Sequence, residues 1–311
     1  MTIFNSLTEI IDELTLPVVR DLAWVLTTPP LLHSIAEQRH PLSASRWAEQ
    51  PTSLRDWLTM LDHDSKALDA YLASRFTGRL GHYYEALWQF AVRSAQGLDL
   101  LATNLAIRDG NRTLGEMDMV YRDSEGVHHV EFAVKLYLGP EDAVHTDLQA
   151  WHGTDVTDRL DMKLARLRER QLKLSSSEAG LMALRELTGE PIRSSLWLGG
   201  YLFYPAGVRC NPPPHAHPAH QRGSWMRYCD FGSRIDRSLW RLIPRQRWLA
   251  PAVHAFTEPL PDSFIDWMAE LPLPAPAKLV ARIDPDTDKE MERTLLVDNG
   301  WPGAQNAVST A

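Results

Sequence analysis

Apolar and polar positions alternate most clearly over residues 112–138, RTLGEMDMVYRDSEGVHHVEFAVKLYL, where two runs of period two flank Asp123-Ser124-Glu125-Gly126. Side chains alternate across a strand, so this stretch reads as a β-hairpin. In the second run Val130, Phe132, Val134, Leu136 and Leu138 share an apolar face that predicts a core contact, while His129, Glu131, Ala133, Lys135 and Tyr137 share the other. A symmetric turn sets Asp118 opposite Glu131, Glu116 opposite Ala133 and Leu114 opposite Lys135. A slip of one residue would move the whole set to the other face.

Helical spacing precedes the hairpin. Residues 14–26 and 53–73 carry helix-like apolar repeats, with a break at Thr27-Thr28-Pro29-Pro30. Residues 79–96 predict a helix packed through Leu87, Trp88, Ala91 and Val92, with Glu85 at the edge of that side. Residues 98–109 read as a first strand, closed by the turn pair Asp109-Gly110. After the hairpin comes a loop over 139–157, then a helix over 158–174 with Asp158 as its N-cap. In that helix Leu160, Leu164, Leu167 and Leu174 form a stripe that Gln171 interrupts. Ser194–Tyr204 reads as a fourth strand, and residues 223–271 as a further sheet-plus-helix layer. The division expected is a helical extension over 1–75, a core over 76–205, a packed C-terminal extension over 206–300 and a frayed tail over 301–311.

The hairpin also concentrates charge. Glu116, Asp118 and Glu131 converge with Lys135 in strands that are otherwise apolar. Like charges directly opposed across a strand pair are destabilising. A hard divalent cation removes that repulsion, since Mg²⁺ is typically held by one or two carboxylates with waters and phosphate oxygens. The plainer alternative is a solvent-facing strand pair with an ordinary cross-strand ion pair.

The string Gly115-Glu116-Met117-Asp118, followed by Glu131 and preceded by Arg79-Leu80-Gly81-His82-Tyr83-Tyr84-Glu85, resembles the PD-(D/E)XK nuclease superfamily, and more narrowly an uncharacterised bacterial family within it. The resemblance covers roughly residues 79–205, with Val19–Trp24 and Arg247–Pro251 as further landmarks of the narrower family. It implies an α/β fold with a restriction-endonuclease-like core (helix, three-stranded antiparallel meander, helix, strand), carrying a helical N-terminal and an α+β C-terminal extension. It also implies a metal-dependent nuclease. Asp118 and Glu131 would hold Mg²⁺ or Mn²⁺ with the Phe132 carbonyl, and Glu85 and Glu116 would act through water or a second ion. Lys135 would stabilise developing negative charge. Some branches carry a glutamine on the following helix that faces the site, and Gln171 is the residue here, though a structural glutamine fits equally.

One departure stands out. The superfamily spacing is Glu-x-Lys, whereas this chain reads Glu131-Phe132-Ala133-Val134-Lys135. Lys135 is two residues beyond the expected position, about 7 Å along a strand that rises ~3.3 Å per residue. Loss of the lysine would suit a protein that keeps the fold without catalysis and serves as a nucleic-acid- or protein-binding module.

Composition sets the remaining limits. A net charge of −8 does not advertise nucleic-acid binding, although a local basic strip suffices for it. Residues 158–173 hold six Arg or Lys against three acids, with Arg159 and Lys163 one turn apart. Residues 222–247 hold seven arginines, Arg234, Arg237 and Arg241 among them, interleaved with Trp225, Trp240 and Trp248. Arginines among aromatic rings suit phosphate contact and base stacking, and suit an ordinary core as well. Two cysteines make no disulfide framework. Cys210, His215, His217, His220 and Cys229 offer zinc ligand types without a known zinc spacing, and the Pro212-Pro213-Pro214 run favours an exposed loop. A basic leader and an apolar run long enough to span a membrane are both missing, so a cytoplasmic protein is expected.

Overall fold

The computed structural model describes residues 3–7, 9–75, 78–141, 147–233 and 237–303. The fold is mixed α/β, with a large, mostly antiparallel sheet and helices. The chain divides into two compact units, one of residues 1–134, 163–199 and 217–219 and the other of residues 135–162, 200–216 and 220–311.

The first unit contains the meander of β1 (Asp99–Asp109), β2 (Arg112–Asp123) and the first part of β3 (Gly126–Leu138). The hairpin register is the expected one, running from Asp123↔Gly126 to Met119↔Val130. The ladder ends there, so the expected Asp118–Glu131, Glu116–Ala133 and Leu114–Lys135 pairs are not part of it. Glu116 and Gly115 pair instead with Ala106 and Ile107 of β1. The cause is local. The Phe132 N–H that would continue a backbone ladder donates to the Asp118 carboxylate at 2.7 Å.

The second face of β3 is not a solvent face. Phe132 on one side stacks on Trp88 at 5.5 Å, and Val127 packs with Val120, Met117 and Leu184. His129 and Glu131 are fully buried. A carboxylate held away from water must be satisfied by hydrogen bonds or by a cation.

Helix Leu80–Ser94 carries Glu85. Its place is fixed by helix Pro17–Thr27, which starts on a proline, as first helical positions tolerate. Buried Asp21 accepts the Tyr83 hydroxyl at 2.9 Å, and Trp24 meets Tyr84 edge-on at 6.5 Å. The Val19–Trp24 landmark is therefore the seat of the Glu85 helix. Gly199 belongs to the same packing, since a Cβ there would lie 2.3 Å from the Tyr84 hydroxyl. The helical pattern over 53–73 forms two helices, Pro51–His63 and Lys66–Ala73. Asp64 interrupts them by accepting the Lys66 N–H at 3.2 Å.

The helix expected over 158–174 begins at Leu160 and is α-helical only to Arg166. A π turn, Leu167–Gln171, and a 3₁₀ turn, Leu172–Ser176, complete it. Asp158 is not its N-cap, because its carboxylate accepts from Lys135 and from the Tyr137 hydroxyl.

In the second unit the end of β4 (Ile192–Pro205) pairs in parallel with β5 (Gln221–Arg227). β5 pairs in parallel with β9 (Glu290–Val297), which continues antiparallel to β8 (Lys278–Ile283). β6 (Trp240–Ile243) and β7 (Glu258–Pro259) follow antiparallel. The layer expected over 223–271 is thus completed only by strands beyond it. Met226, Tyr228, Phe231, Trp240, Phe264, Val280 and Leu296 form its core. The extended segment 271–276 is anchored: the Pro276 carbonyl accepts the Tyr228 hydroxyl, and the Ala275 N–H donates to Asp298. The Arg247–Pro251 landmark wraps a buried arginine. Arg293 pairs with Glu290 and donates to the carbonyls of Trp248, Leu249 and Ala250. Most of the tail expected over 301–311, residues 304–311, lies outside the described residues.

Gly200 gives a direct test of this packing. Its φ is +128°, and a Cβ there would lie 1.8 Å from the Lys135 carbonyl oxygen. Gly200→Ala is expected to lower unfolding stability by roughly 3 kcal/mol or more, read as a fall in the urea midpoint. An unchanged midpoint would contradict the close approach of these two backbones.

Candidate metal centre

The open end of the β2–β3 ladder carries two acids in crossed contact. The Asp118 carboxylate accepts the Phe132 N–H at 2.7 Å, and the Asp118 N–H points at Glu131 Oε1 at 3.4 Å. Asp118 is 9% exposed and Glu131 is 0% exposed. Each Glu131 oxygen has a further donor. His129 Nε2 lies 2.7 Å from Oε1, and the Gln171 amide donates to Oε2. A carboxylate only accepts, so His129 carries its proton on Nε2. Oε1 thus accepts from both the Asp118 N–H and His129, while Oε2 keeps one lone pair for a ligand. Sequence reasoning missed His129 as a support, although it stands two residues before Glu131 on the same face of the strand, where such a partner belongs.

Glu116 and Glu85 border this pair. The Asn104 amide donates to Glu116 at 2.9 Å, and the Gln89 amide donates to Asn104 at 3.1 Å and to the Asp118 carbonyl at 3.2 Å. Asn104 adopts φ +51°, uncommon for a residue other than glycine. It follows the bulge in β1 between Leu100 and Ala102. Strand bulges re-aim side chains, and this one accompanies an amide directed at Glu116. Among the described residues Glu85 has no hydrogen-bond donor.

Electrostatics register the crowding. Burial, and then repulsion from Glu131 and Glu116, pushes the Glu85 carboxyl up to about 7, against the attraction of Lys163. Burial, followed by repulsion from Glu131 and Glu85, holds the Asp118 carboxyl well above its ordinary range, with the Phe132 N–H and Lys163 opposing. Such clustered acids with raised proton affinity mark functional sites more often than structural ones.

The lysines divide differently from the expectation. Lys135 belongs to the second unit, where Asp158 holds its ammonium. Lys163 belongs to the first unit and donates to Gln171 Oε1 at 3.3 Å. Gln171 does not break an apolar stripe. The buried series runs Leu160, Leu164, Leu167, Leu172, and its last step of five residues is the π turn. Gln171 is thereby freed to reach Glu131.

A family model described as a domain of unknown function (DUF1853) matches residues 20–297. The chain belongs to this family. No curated protein and no solved structure matches it.

In this DUF1853 chain the other candidates separate clearly. Arg159 is paired with Asp161 at 2.6 Å. Arg241 donates to Thr257, Arg227 pairs with Glu141, and Arg222 stacks on Tyr204. Trp225, Trp240 and Trp248 are buried, so they pack the core and are not laid out for stacking on bases. Arg234 and the side chain of Arg237 lie outside the described residues. The cysteines and histidines of 210–229 form no metal-ligating group of three among the described residues. The group that does is Asp123, Glu125 and His128, with ligand atoms all within 4.8 Å of one another; no three of Glu85, Glu116, Asp118 and Glu131 come that close together. Arg39 already bonds Asp123 at 2.7 Å and Glu125 at 3.0 Å, and supplies the positive charge there. Among the described residues no helix is long and apolar enough to cross a membrane.

The raised Glu85 carboxyl predicts a pH dependence of stability. Between its ordinary range and about 7 the folded metal-free chain binds a proton that the unfolded chain does not. Its contribution to stability therefore falls as pH rises through that window. At pH 8 Glu85→Gln is expected to exceed the wild type by roughly 1–3 kcal/mol in the absence of metal, and the gap should close near pH 5. Chemical denaturation in EDTA at both pH values measures it. A variant no more stable than wild type at pH 8 would exclude the repulsion.

Proposed function

We propose that this chain is a metal-dependent phosphodiester hydrolase acting on nucleic acid. The observation that carries this reading is the buried Asp118–Glu131 pair at the open end of the β2–β3 ladder, joined by the Phe132 N–H and supported by His129 and Gln171. Support also comes from the order of elements: the Glu85 helix, a three-stranded antiparallel meander, the helical segment 160–176 and β4. That is the order of the PD-(D/E)XK core, which the acids of the sequence resemble.

In this reading Asp118 and Glu131 hold Mg²⁺ or Mn²⁺, with the Phe132 carbonyl as a third ligand and Glu85 and Glu116 acting through water or a second ion. When bound, the ion lowers the pKa of a water and offsets charge on phosphate oxygens. The protein's own part is positioning. His129 and Gln171 each take one oxygen of Glu131, which fixes the carboxylate plane, as hydrogen bonds to metal ligands commonly do. Asn104, itself held by Gln89, donates to one oxygen of Glu116. The carboxyls of Glu85 and Asp118 are raised, so activity is expected to rise with pH as they lose their protons.

A second reading has one specific observation in its favour. Ala133 replaces the expected lysine, and Lys135 is engaged by Asp158. A non-catalytic nucleic-acid- or protein-binding module would tolerate both. It has no need for a buried, mutually repelling acid cluster, which favours the enzyme.

The two readings part on a cleavage assay. Labelled single- and double-stranded DNA and RNA would be incubated with Mg²⁺, Mn²⁺ or EDTA. The wild type is expected to cleave at least one substrate with metal, and Asp118→Asn to lose about 100-fold or more of that rate while remaining folded. Undiminished cleavage by Asp118→Asn removes the assignment of the site.

A further inference from the structure

We infer that Lys163, and not Lys135, supplies the ammonium that meets the phosphate in this site, brought there by the π turn that follows it. The inference rests on the phosphodiesterase reading above. Three observations lead to it.

The first is vacancy in the sequence: Ala133 occupies the position two residues after Glu131, and the next lysine along the strand is held by Asp158. The second is connectivity. Half-buried Lys163 donates to Gln171 Oε1 at 3.3 Å, and the same amide donates through its nitrogen to Glu131 Oε2. The amide dipole is thus aligned, with its oxygen on the ammonium and its nitrogen on the carboxylate. Lys163 is fixed one side chain away from the central acid. The third is charge. Lys163 interacts electrostatically with both Glu85 and Asp118, two acids on different elements.

The helix geometry explains how residues eight apart come together. In an uninterrupted α-helix, positions 163 and 171 would differ by about 80° in phase. The wider turn over Leu167–Gln171 absorbs one residue, so the separation behaves as seven, about 20° out of phase. The turn also passes the buried stripe from Leu167 to Leu172, which keeps the segment seated while Gln171 rotates towards Glu131. Single π turns are frequent at functional sites. An ammonium placed there acts as a fixed positive charge for the negative charge that builds on a phosphate under attack.

The test compares Lys163→Met, Lys163→Arg, Lys135→Met and Asp118→Asn in full-length protein, by steady-state cleavage and by Mn²⁺ titration calorimetry without substrate. Lys163→Met is expected to lose about 100-fold in kcat with KM within a few-fold of wild type. Lys163→Arg should restore part of the loss, and Lys135→Met should lose at least tenfold less. In calorimetry Lys163→Met should bind Mn²⁺ as tightly as wild type or severalfold more tightly, because a competing cation is gone. Asp118→Asn should lose binding. That contrast separates a missing charge from a collapsed site. Wild-type cleavage that Asp118→Asn abolishes and Lys163→Met leaves intact overturns the role of Lys163 alone, as does Mn²⁺ binding that Lys163→Met weakens as Asp118→Asn does. If the wild type cleaves nothing, the phosphodiesterase reading and the role of Lys163 fall together.

Discussion

Everything in the candidate site depends on one crossed contact, in which the Asp118 carboxylate takes the Phe132 N–H while the Asp118 N–H turns to Glu131. A ladder continued through this point would have given the Phe132 N–H to a backbone carbonyl of β2. Ended here, it leaves β2 paired with β1 alone and places two acids side by side in a buried setting. Burying a carboxylate is costly unless hydrogen bonds or a cation compensate. His129, Gln171 and the Phe132 N–H supply part of the compensation. The raised proton affinity of Glu85 and Asp118 is the part left over.

Much of the molecule serves to hold these acids in place. Asp21 and Trp24 seat the helix that carries Glu85. Gln89 reaches from the same helix to Asn104 and to the backbone of Asp118. The helical segment after β3 contributes Gln171 only because it widens into a π turn. The Arg-rich strip has a different character. Its described arginines pair with Glu141, Thr257 and aromatic rings within their own unit. The same unit buries Arg293, which donates to three carbonyls of the segment 248–250. Local positive charge in the sequence was partly internal wiring.

The hairpin was legible because its two signals agree: period-two alternation and a turn rich in Asp, Ser and Gly set the same register. The Glu85 helix and the strands of 98–109 and 194–204 were legible for the same reason, long periodic runs with clear ends. Three features were not. Alternation over β3 suggested an exposed face, yet helices cover both sides, and coverage depends on segments far away in sequence. The stripe of Leu160, Leu164 and Leu167 predicted an unbroken helix, because periodicity has no means of announcing one extra residue in a turn. Asn104 stood in an apolar strand, which it disfavours. That mismatch was the one local sign of a bulge and of an amide committed to Glu116.

If Asp118 and Glu131 hold a divalent ion, its binding displaces protons from the raised carboxyls of Glu85 and Asp118. Calorimetric titration of the metal-free wild type with Mn²⁺ at pH 6.5, repeated in buffers of different ionisation enthalpy, reads that exchange directly. Binding should release about one proton per ion, with the amount falling as pH is raised above the Glu85 transition. Absence of binding, or binding with no proton release at any pH between 5.5 and 7, would contradict the assignment of Glu85, Asp118 and Glu131 as a metal centre.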